Sequence, residues 1–245
     1  MTRKVIVVTG TNRGIGLGLA TELSQRGDIV LATVRSKAKV IGTPLAALPN
    51  VKFVEMEADK FESIDNAAAE IESLAPEGID ELWNNLGVLN VGDGASVTSV
   101  RAVNPGDMAT EYKINVIAPS YLTSKLVPLL EKRQTRKVIF VSSIVGSIEF
   151  SKEHAQFMTE MQVPYSYSTT KTALNMAAWY FHNQLNSAGF TIVPIHPGVV
   201  LTDMNGPRGQ ISTEDSVTSM LGIVGALSAA DDFLLRSYDG SIIPW

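Results

Sequence analysis

The chain has 245 residues, 45% of them hydrophobic and 18% charged, which suits one folded α/β domain spanning residues 1–245 and excludes an intrinsically disordered chain. A formal net charge of −5 without a basic cluster argues against nucleic acid as a partner. The sequence contains no cysteine, which excludes disulfides and thiolate metal sites, and we predict no metal centre.

The first residues of the chain predict a strand rather than a targeting signal. Val5 to Val8 is a short β-branched run that ends at polar turn residues, too short for the apolar core of a signal peptide. No apolar run approaches the ~20 residues that a membrane-spanning helix needs. We therefore expect a soluble cytoplasmic protein that does not bind membranes.

A glycine-rich turn follows this first strand. Gly10, Gly14 and Gly16 precede a helical pattern that continues to about Gln25. Strand, turn and helix form a phosphate cradle, because glycine lets the backbone approach a pyrophosphate and the helix N-terminus offers N–H groups and a positive dipole end. This arrangement predicts a dinucleotide-binding site.

The end of the second strand indicates which dinucleotide binds. This strand, at residues 28–34, is followed by Arg35, at the place where an acidic residue would hold the ribose 2′-hydroxyl of NAD. Arg35 and Arg13 would instead bind a 2′-phosphate, so the sequence predicts NADP(H). The alternative is that both arginines are solvated surface charges.

The rest of the chain continues the alternation of strands and helices. Further strands are predicted at 51–56, 79–83, 137–143, 191–196 and 233–235, and helices at 61–74, 105–131, around 165–179 and at about 213–227. Residues 88–106 show no clear period and are predicted to be a loop near the site. We predict an α/β fold, a single-domain, Rossmann-type doubly wound parallel sheet in which ligands bind beyond the carboxyl ends of the strands. Asn115, with Pro119 four residues later, predicts a local kink in the helix 105–131.

Tyr167 and Lys171 lie four residues apart in a predicted helix, so both side chains lie on one face. An ammonium beside a phenol favours the phenolate and lowers the pKa of the tyrosine from ~10, so that it can transfer a proton near neutral pH. Tyr–Lys pairs at this spacing also occur on helix surfaces without a catalytic role. A second phenol, Tyr165, has Thr169 at this spacing and cannot use Lys171 in the same way.

The histidines raise the alternative of a Ser–His hydrolase. No Gly-x-Ser-x-Gly sequence surrounds Ser143, and His196 ends a predicted strand, where packing explains it. We therefore interpret His154, His182 and His196 as structural or exposed.

Several short motifs follow one another along the chain. They are Thr9-Gly10-xxx-Gly14-Ile15-Gly16, Asp59, Asn84-Asn85-x-Gly87, Asn115, Ser143, Tyr167-xxx-Lys171 and Pro197-Gly198-xxx-Thr202. In this order they resemble the motifs of the short-chain dehydrogenases/reductases over essentially the whole chain. Within that family, the C-terminal sequence from Tyr238 to Trp245 and the residues after Lys171 look like those of sniffer-type carbonyl reductases, C-factor-like proteins and norsolorinic acid ketoreductases.

The resemblance implies a catalytic tetrad. Tyr167 would be the general acid, and Lys171 would lower its pKa and hold the nicotinamide ribose. Ser143, which unlike Ser142 has the family spacing to Gly146, would hydrogen-bond the substrate oxygen. Asn115 would hold a water that links Lys171 to solvent.

The resemblance also assigns residues to the cofactor. It implies that the pyrophosphate is held by Gly10, Arg13, Gly14, Ile15 and Gly16, the adenine amine by Asp59, the adenosine side by Asn85, and the nicotinamide carboxamide by Val200 and Thr202. The other expected cofactor-binding residues are Asn12, Arg35, Gly87, Tyr167, Lys171, Pro197 and Gly198.

Two features depart from the family pattern. Leu86 takes the place of a small residue in the Asn-Asn-x-Gly turn and would alter packing beside the cofactor. The interval between Ser143 and Tyr167 is longer than usual, so residues 147–164 form an insertion. Its apolar residues would form either a lid over the substrate site or a short surface helix that packs its own apolar face. Those residues are Phe150, Phe157, Met158 and Met161. We expect residues 203–230 to frame the same pocket.

We predict an NADPH-dependent carbonyl reductase (ketoreductase) that acts on hydrophobic ketones or aldehydes with Tyr167 as the general acid. An NAD-linked alcohol dehydrogenase and a non-catalytic NADPH-sensing or signalling protein are the alternatives. A nucleotide-sugar epimerase or dehydratase would need a longer segment after Thr202.

The resemblance further implies a homodimer or homotetramer. Its interface would use the two long helices at about 106–131 and 166–187. Trp179, Tyr180 and Phe181 on the second helix would belong either to this interface or to the core.

Overall fold

One sheet of eight strands lies within residues 3–89, 100–160 and 162–245, the part of the chain that the computed structural model describes. The strands are β1 (Val5–Val8), β2 (Ile29–Val34), β3 (Val51–Glu55), β4 (Glu81–Asn84), β5 (Lys137–Val141), β6 (Thr191–His196), β7 (Leu235–Ser237) and β8 (Ile242–Ile243). Their order is β3-β2-β1-β4-β5-β6-β7-β8. β1 to β7 pair in parallel, and β8 pairs antiparallel to β7. The predicted doubly wound parallel sheet is confirmed.

Helices cover both faces of this sheet. They are α1 (Gly14–Gln25), α2 (Phe61–Leu74), α3 (Pro105–Tyr112), α4 (Ala118–Glu131), α5 (Ile148–Glu153), α6 (Ala155–Glu160), α7 (Tyr165–Leu185) and α8 (Thr213–Ala226). None of the helices in the described residues combines the length and apolar character that crossing a bilayer requires.

The strands are apolar throughout because they are buried on both sides. In β1, Val7 faces the layer formed by α2, α4 and α7, whereas Val8 faces the layer formed by α1 and α8. A strand between two helical layers has no solvent-exposed face, which explains why Val5–Val8 does not alternate with polar residues. β1 lies between β2 and β4, so the chain changes direction across the sheet at this point and leaves a crevice at the carboxyl ends of the strands.

The predicted helix 105–131 is divided by a distortion. Residues Lys113–Ile117 form a π-helical turn between α3 and α4, and Asn115 lies inside it. Proline has no N–H and cannot continue the regular hydrogen-bond ladder, so Pro119 accounts for a local rearrangement of the preceding turn. The kink that was predicted from Asn115 and Pro119 is therefore present, as a π-helical turn.

The C-terminal edge of the sheet differs from the prediction. The sequence predicts the last strand at 233–235, whereas in the structure this strand, β7, begins two residues later. A short hairpin then adds β8, which was not predicted. Phe233 lies outside the strand, and its ring stacks on Trp245, with the ring centroids 5.3 Å apart.

Candidate active site

A cavity of about 600 Å³ opens at the carboxyl ends of the central strands. It extends from the glycine turn after β1, past the ends of β2 and β4, to the end of β5 and the first turns of α7. Of the predicted site residues, all but Asn115 and Val200 line it. The motifs that are dispersed along the sequence thus meet in one cleft.

The glycine turn has the shape of a phosphate cradle. Gly10 and Gly14 have φ angles of +71° and +54°, which disfavour a side chain. A Cβ on Gly10 would lie 3.0 Å from the Cβ of Leu86, and one on Gly14 would lie 3.2 Å from Cγ2 of Thr202. No side chain caps the N-terminus of α1, and its first residues line the cavity, so their N–H groups suit an anionic pyrophosphate.

The packing of Leu86 explains how this departure from the family pattern is accommodated. Leu86 lies directly against Gly10, where the missing Cβ provides room for the larger side chain. The amide Nδ2 of Asn85 donates to the Thr9 carbonyl at 2.8 Å. The loop after β4 is therefore fixed to the glycine turn, and Asn85 also lines the cavity. Its expected role on the adenosine side stays a prediction.

Charged residues surround the end of the cavity near β2. Arg35 is exposed at the end of that strand, and no ion pair to it occurs among the described residues. Asp59 is exposed and lines the same region. Arg13 forms an ion pair with Asp203, 3.0 Å from Nη1 to Oδ2, and the two side chains are 74% and 73% exposed. Asp203 was not predicted as a site residue.

Ser143 and Tyr167 are hydrogen-bonded to each other at the inner end of the cavity. Burial raises the pKa of the Tyr167 phenol well above 10, the carboxylate of Glu111 raises it further, and the hydrogen bond with Ser143 opposes both. Burial also lowers the pKa of Lys171 to about 8. The structure thus differs from the expectation that Lys171 lowers the pKa of Tyr167: the pKa of the phenol is raised, because burial disfavours the phenolate.

Lys171 is held beside the tyrosine. Its Nζ donates to the Val141 carbonyl at 2.8 Å and lies 5.5 Å from the centroid of the Tyr167 ring. A Cβ on Gly87 would lie 3.6 Å from this Nζ and 3.4 Å from Oδ1 of Asn115. Gly87 therefore leaves the space between the lysine and the asparagine open.

Asn115 is buried behind the cavity wall and connects three elements. Its Oδ1 accepts from the Val88 N–H at 2.8 Å, and its Nδ2 donates to the Val88 carbonyl at 2.9 Å. The same Nδ2 donates to Oγ1 of Thr170 at 3.1 Å, and that hydroxyl donates to the Tyr167 carbonyl at 2.7 Å. Asn115 thus positions the first turns of α7; its expected role in holding a water stays a prediction.

Glu111 is a residue that the sequence analysis missed. It is buried in α3, four residues before Asn115, and its carboxylate acts electrostatically on the phenol of Tyr167. The four-residue spacing to Asn115 was the available signal, because it places both residues on one side of the chain. Burial itself could not be read from the sequence.

The choice between the two serines is supported by their hydrogen bonds. Oγ of Ser142 is buried and donates to Oδ1 of Asn175 at 2.5 Å. Ser143 instead has its hydroxyl beside Tyr167. His196, interpreted as structural or exposed, is buried at the end of β6 and lines the cavity, and burial lowers its pKa to about 4, so the ring is neutral.

The insertion 147–164 lies partly on the cavity wall and packs partly on itself, and its role as a lid stays a prediction. Phe157 and residues 162–164 line the cavity, as a wall or lid would. Phe150 stacks on His154 at 4.1 Å between ring centroids and lies edge-on to Phe157, as in a small helix that packs on itself. Met161 lies outside the described residues, as do residues 90–99 of the predicted loop 88–106. Within 203–230, the cavity is lined by Asp203, Met204, Asn205 and Arg208.

The aromatic residues of α7 divide between surface and core. Trp179 and Tyr180 are 41% and 54% exposed, and Met176 on the same helix is 59% exposed. The Phe181 ring stacks on Phe140, with centroids 5.8 Å apart, in the layer between α7 and the sheet.

Comparisons with known proteins identify similar chains. The short chain dehydrogenase family matches residues 4–212. An uncharacterized oxidoreductase of Schizosaccharomyces pombe is 34% identical, covering 100% of this chain and 99% of the relative. The C-signal of Myxococcus xanthus is 32% identical, covering 68% of this chain and 93% of the relative. Two solved structures cover 100% of both chains: an NADPH-bound carbonyl reductase from chicken fatty liver (TM-score 0.86, 28% identity) and the carbonyl reductase Sniffer of D. melanogaster (TM-score 0.85, 25% identity).

Proposed function

The chain belongs to the short-chain dehydrogenase/reductase family of oxidoreductases, and on this premise we propose that it is an NADPH-dependent reductase of hydrophobic ketones and aldehydes. The observation that carries the proposal is the cluster of Ser143, Tyr167 and Lys171 at one end of a cavity whose other end is a glycine cradle. A carbonyl compound at this cluster would lie within reach of a nicotinamide held by the same cavity.

The electrostatics of Tyr167 suit a proton donor. Its pKa lies above the ordinary value because of burial and the carboxylate of Glu111, so the phenol is protonated at neutral pH. Carbonyl reduction needs a proton donor at this position. The absence of an acidic residue directly after β2 disfavours the alternative of an NAD-linked alcohol dehydrogenase.

The proposed reaction uses the tetrad as follows. The hydroxyl of Ser143 donates a hydrogen bond to the carbonyl oxygen and stabilises the negative charge that develops there. Tyr167 gives its proton to the same oxygen. The cofactor, when bound, supplies the hydride to the carbonyl carbon. Lys171, whose pKa is about 8, is largely charged at neutral pH and stabilises the phenolate that remains, while Asn115 positions the helix that carries both.

The phosphate chemistry of the cavity supports NADPH. No acidic residue follows β2, and the exposed Arg35 and Arg13 are suited to a 2′-phosphate, which guanidinium groups bind well. The similar carbonyl reductase from chicken fatty liver is a complex with NADPH. In the proposed complex, Asp59 and Asn85 lie at the adenosine end, and Pro197, Gly198 and Thr202 lie at the nicotinamide end.

Several apolar side chains line the cavity where we propose that the substrate binds. Ile144, Val145, Phe157, Val163 and Met204 line it beside the tetrad. Such a wall favours hydrophobic carbonyl compounds because their burial is not opposed by loss of hydration. Residues 147–164 would supply part of this wall and act as a lid.

The proposal also covers the oligomeric state of the protein and its location in the cell. Met176, Trp179 and Tyr180 give α7 an exposed apolar surface, which we assign to a homodimer or homotetramer contact. We assign the protein to the cytoplasm.

The first test is consumption of NADPH and of NADH by the purified protein with aryl ketones, ketoesters and diketones. The proposal expects turnover with NADPH and much weaker turnover with NADH. NADPH binding without turnover across the panel would instead support a sensing or signalling protein. Equal or faster turnover with NADH would contradict the assignment of the cofactor.

A further inference from the structure

An ion pair bridges the opening of the cavity. Arg13 precedes α1 in the glycine turn, and Asp203 lies in the loop after β6. Nη1 of Arg13 lies 3.0 Å from Oδ2 of Asp203, and both residues line the cavity. Because about three quarters of each side chain is exposed, water screens the pair and a competing anion can reach it.

The loop holds Asp203 in place beside the arginine. Thr202, the preceding residue, has its Cγ2 close to Gly14, so that even a Cβ on the glycine would lie only 3.2 Å away. The loop is closed by a hydrogen bond from the Gly206 N–H to the Thr202 carbonyl at 2.8 Å and by one from Asn205 Nδ2 to the Val200 carbonyl at 2.9 Å. The backbone at Asp203 is therefore fixed close to the glycine turn that carries Arg13.

We propose that Asp203 is a specificity-determining residue, whose carboxylate competes with the cofactor 2′-phosphate for Arg13 and so limits the preference for NADPH over NADH. This inference rests on the proposed function, in which Arg13 and Arg35 bind the 2′-phosphate. A guanidinium binds a carboxylate and a phosphate through the same donors, so Arg13 must release Asp203 to make its full contact with the phosphate. The carboxylate also repels the phosphate once it has entered.

NADH has no 2′-phosphate and leaves this pair undisturbed. Removal of the Asp203 charge should therefore strengthen the binding of NADP⁺ and leave that of NAD⁺ unchanged. Breaking an exposed ion pair changes an equilibrium by a small factor, so we expect NADP⁺ to bind roughly two- to fivefold more tightly to Asp203→Asn. The effect should decrease as the salt concentration rises.

The experiment is calorimetric titration of the full chain with NADP⁺ and with NAD⁺. The wild type is compared with Asp203→Asn and with Glu214→Gln, which removes the same charge from an exposed residue that does not line the cavity. We expect NADP⁺ to bind more tightly to Asp203→Asn than to the wild type, and to bind to Glu214→Gln as it does to the wild type. We also expect this gain to vanish when Asp203→Asn is combined with Arg13→Ala.

Three results would overturn the inference. Equal tightening for both dinucleotides would mean that Asp203 acts on the shared pyrophosphate. Weaker NADP⁺ binding would mean that the ion pair retains the cofactor, and an unchanged Kd would mean that there is no competition. Failure of the proposed function is seen separately in the wild type, which would then either bind neither dinucleotide or bind NADPH without reducing a carbonyl substrate.

Discussion

His196 should make the stability of the fold depend on pH. It is buried at the end of β6, and burial lowers its pKa from 6.5 to about 4, with Asp239 opposing this shift and Lys171 adding to it. In the unfolded chain the pKa returns to ~6.5. As the pH falls below that value, the unfolded state binds a proton that the folded state does not, so the free energy of unfolding decreases until about pH 4. Between pH 7.5 and pH 5 the loss is about 2 kcal/mol.

Equilibrium unfolding in urea at these two pH values measures this loss. The lower value lies above the range in which most ordinary carboxylates with a pKa near ~4 bind protons, so the histidine contributes most of the difference. His196→Gln should remove about 2 kcal/mol of the difference between the two pH values. His154→Gln, on an exposed residue, serves as the control and should behave like the wild type. If His196→Gln lost as much stability on acidification as the wild type, the reasoning would be refuted.

Two further substitutions test the cradle and the substrate wall. Gly16→Ala should destabilise the fold by about 1–3 kcal/mol and weaken NADP⁺ binding, because the added Cβ would lie 2.6 Å from Nδ2 of Asn85. The control for Gly16→Ala is Gly222→Ala in α8, where an added Cβ meets nothing within 4 Å. If thermal unfolding showed that both variants lose the same stability, the result would argue against the cradle geometry. Phe157→Ala should raise KM for a bulky aryl ketone roughly tenfold with little change in kcat, since it removes apolar contact that substrate and transition state share. Ile148→Ala, on a residue outside the cavity wall, should leave KM unchanged, and an unchanged KM in Phe157→Ala would exclude that residue from the substrate site.

The local patterns in the sequence were sufficient to predict the parallel sheet and the helices that cover it. Buried strands such as Val5–Val8 and the glycine turn that follows are recognisable because their residues are adjacent in the chain. The similarity to sniffer-type carbonyl reductases and C-factor-like proteins is confirmed by the Sniffer structure and the C-signal, whereas that to norsolorinic acid ketoreductases stays a prediction. The hairpin β7–β8 was not predicted, because β8 has two residues, too few to show a period.

The electrostatics of the site could not be read from the sequence. Arg13 and Asp203 are distant in the chain, and only the sheet order brings the ends of β1 and β6 to the same cleft. The predicted effect of Lys171 on Tyr167 considered one neighbour, whereas the pKa of the phenol depends mostly on its burial and on Glu111. The burial of Glu111 and Tyr167 results from the packing of α3 against α7, and no sequence motif indicates this packing.

The most direct test of the central claim is the effect of Tyr167→Phe on kcat/KM for NADPH-dependent reduction of a ketone that the wild type accepts. A general acid contributes ~10²–10⁴-fold, so kcat/KM should fall by that factor while NADP⁺ binding is largely retained. Tyr165→Phe removes a neighbouring, more exposed phenol and should keep the wild-type activity. Activity that survives in Tyr167→Phe, or is lost equally in Tyr165→Phe, would contradict the assignment of Tyr167 as the proton donor.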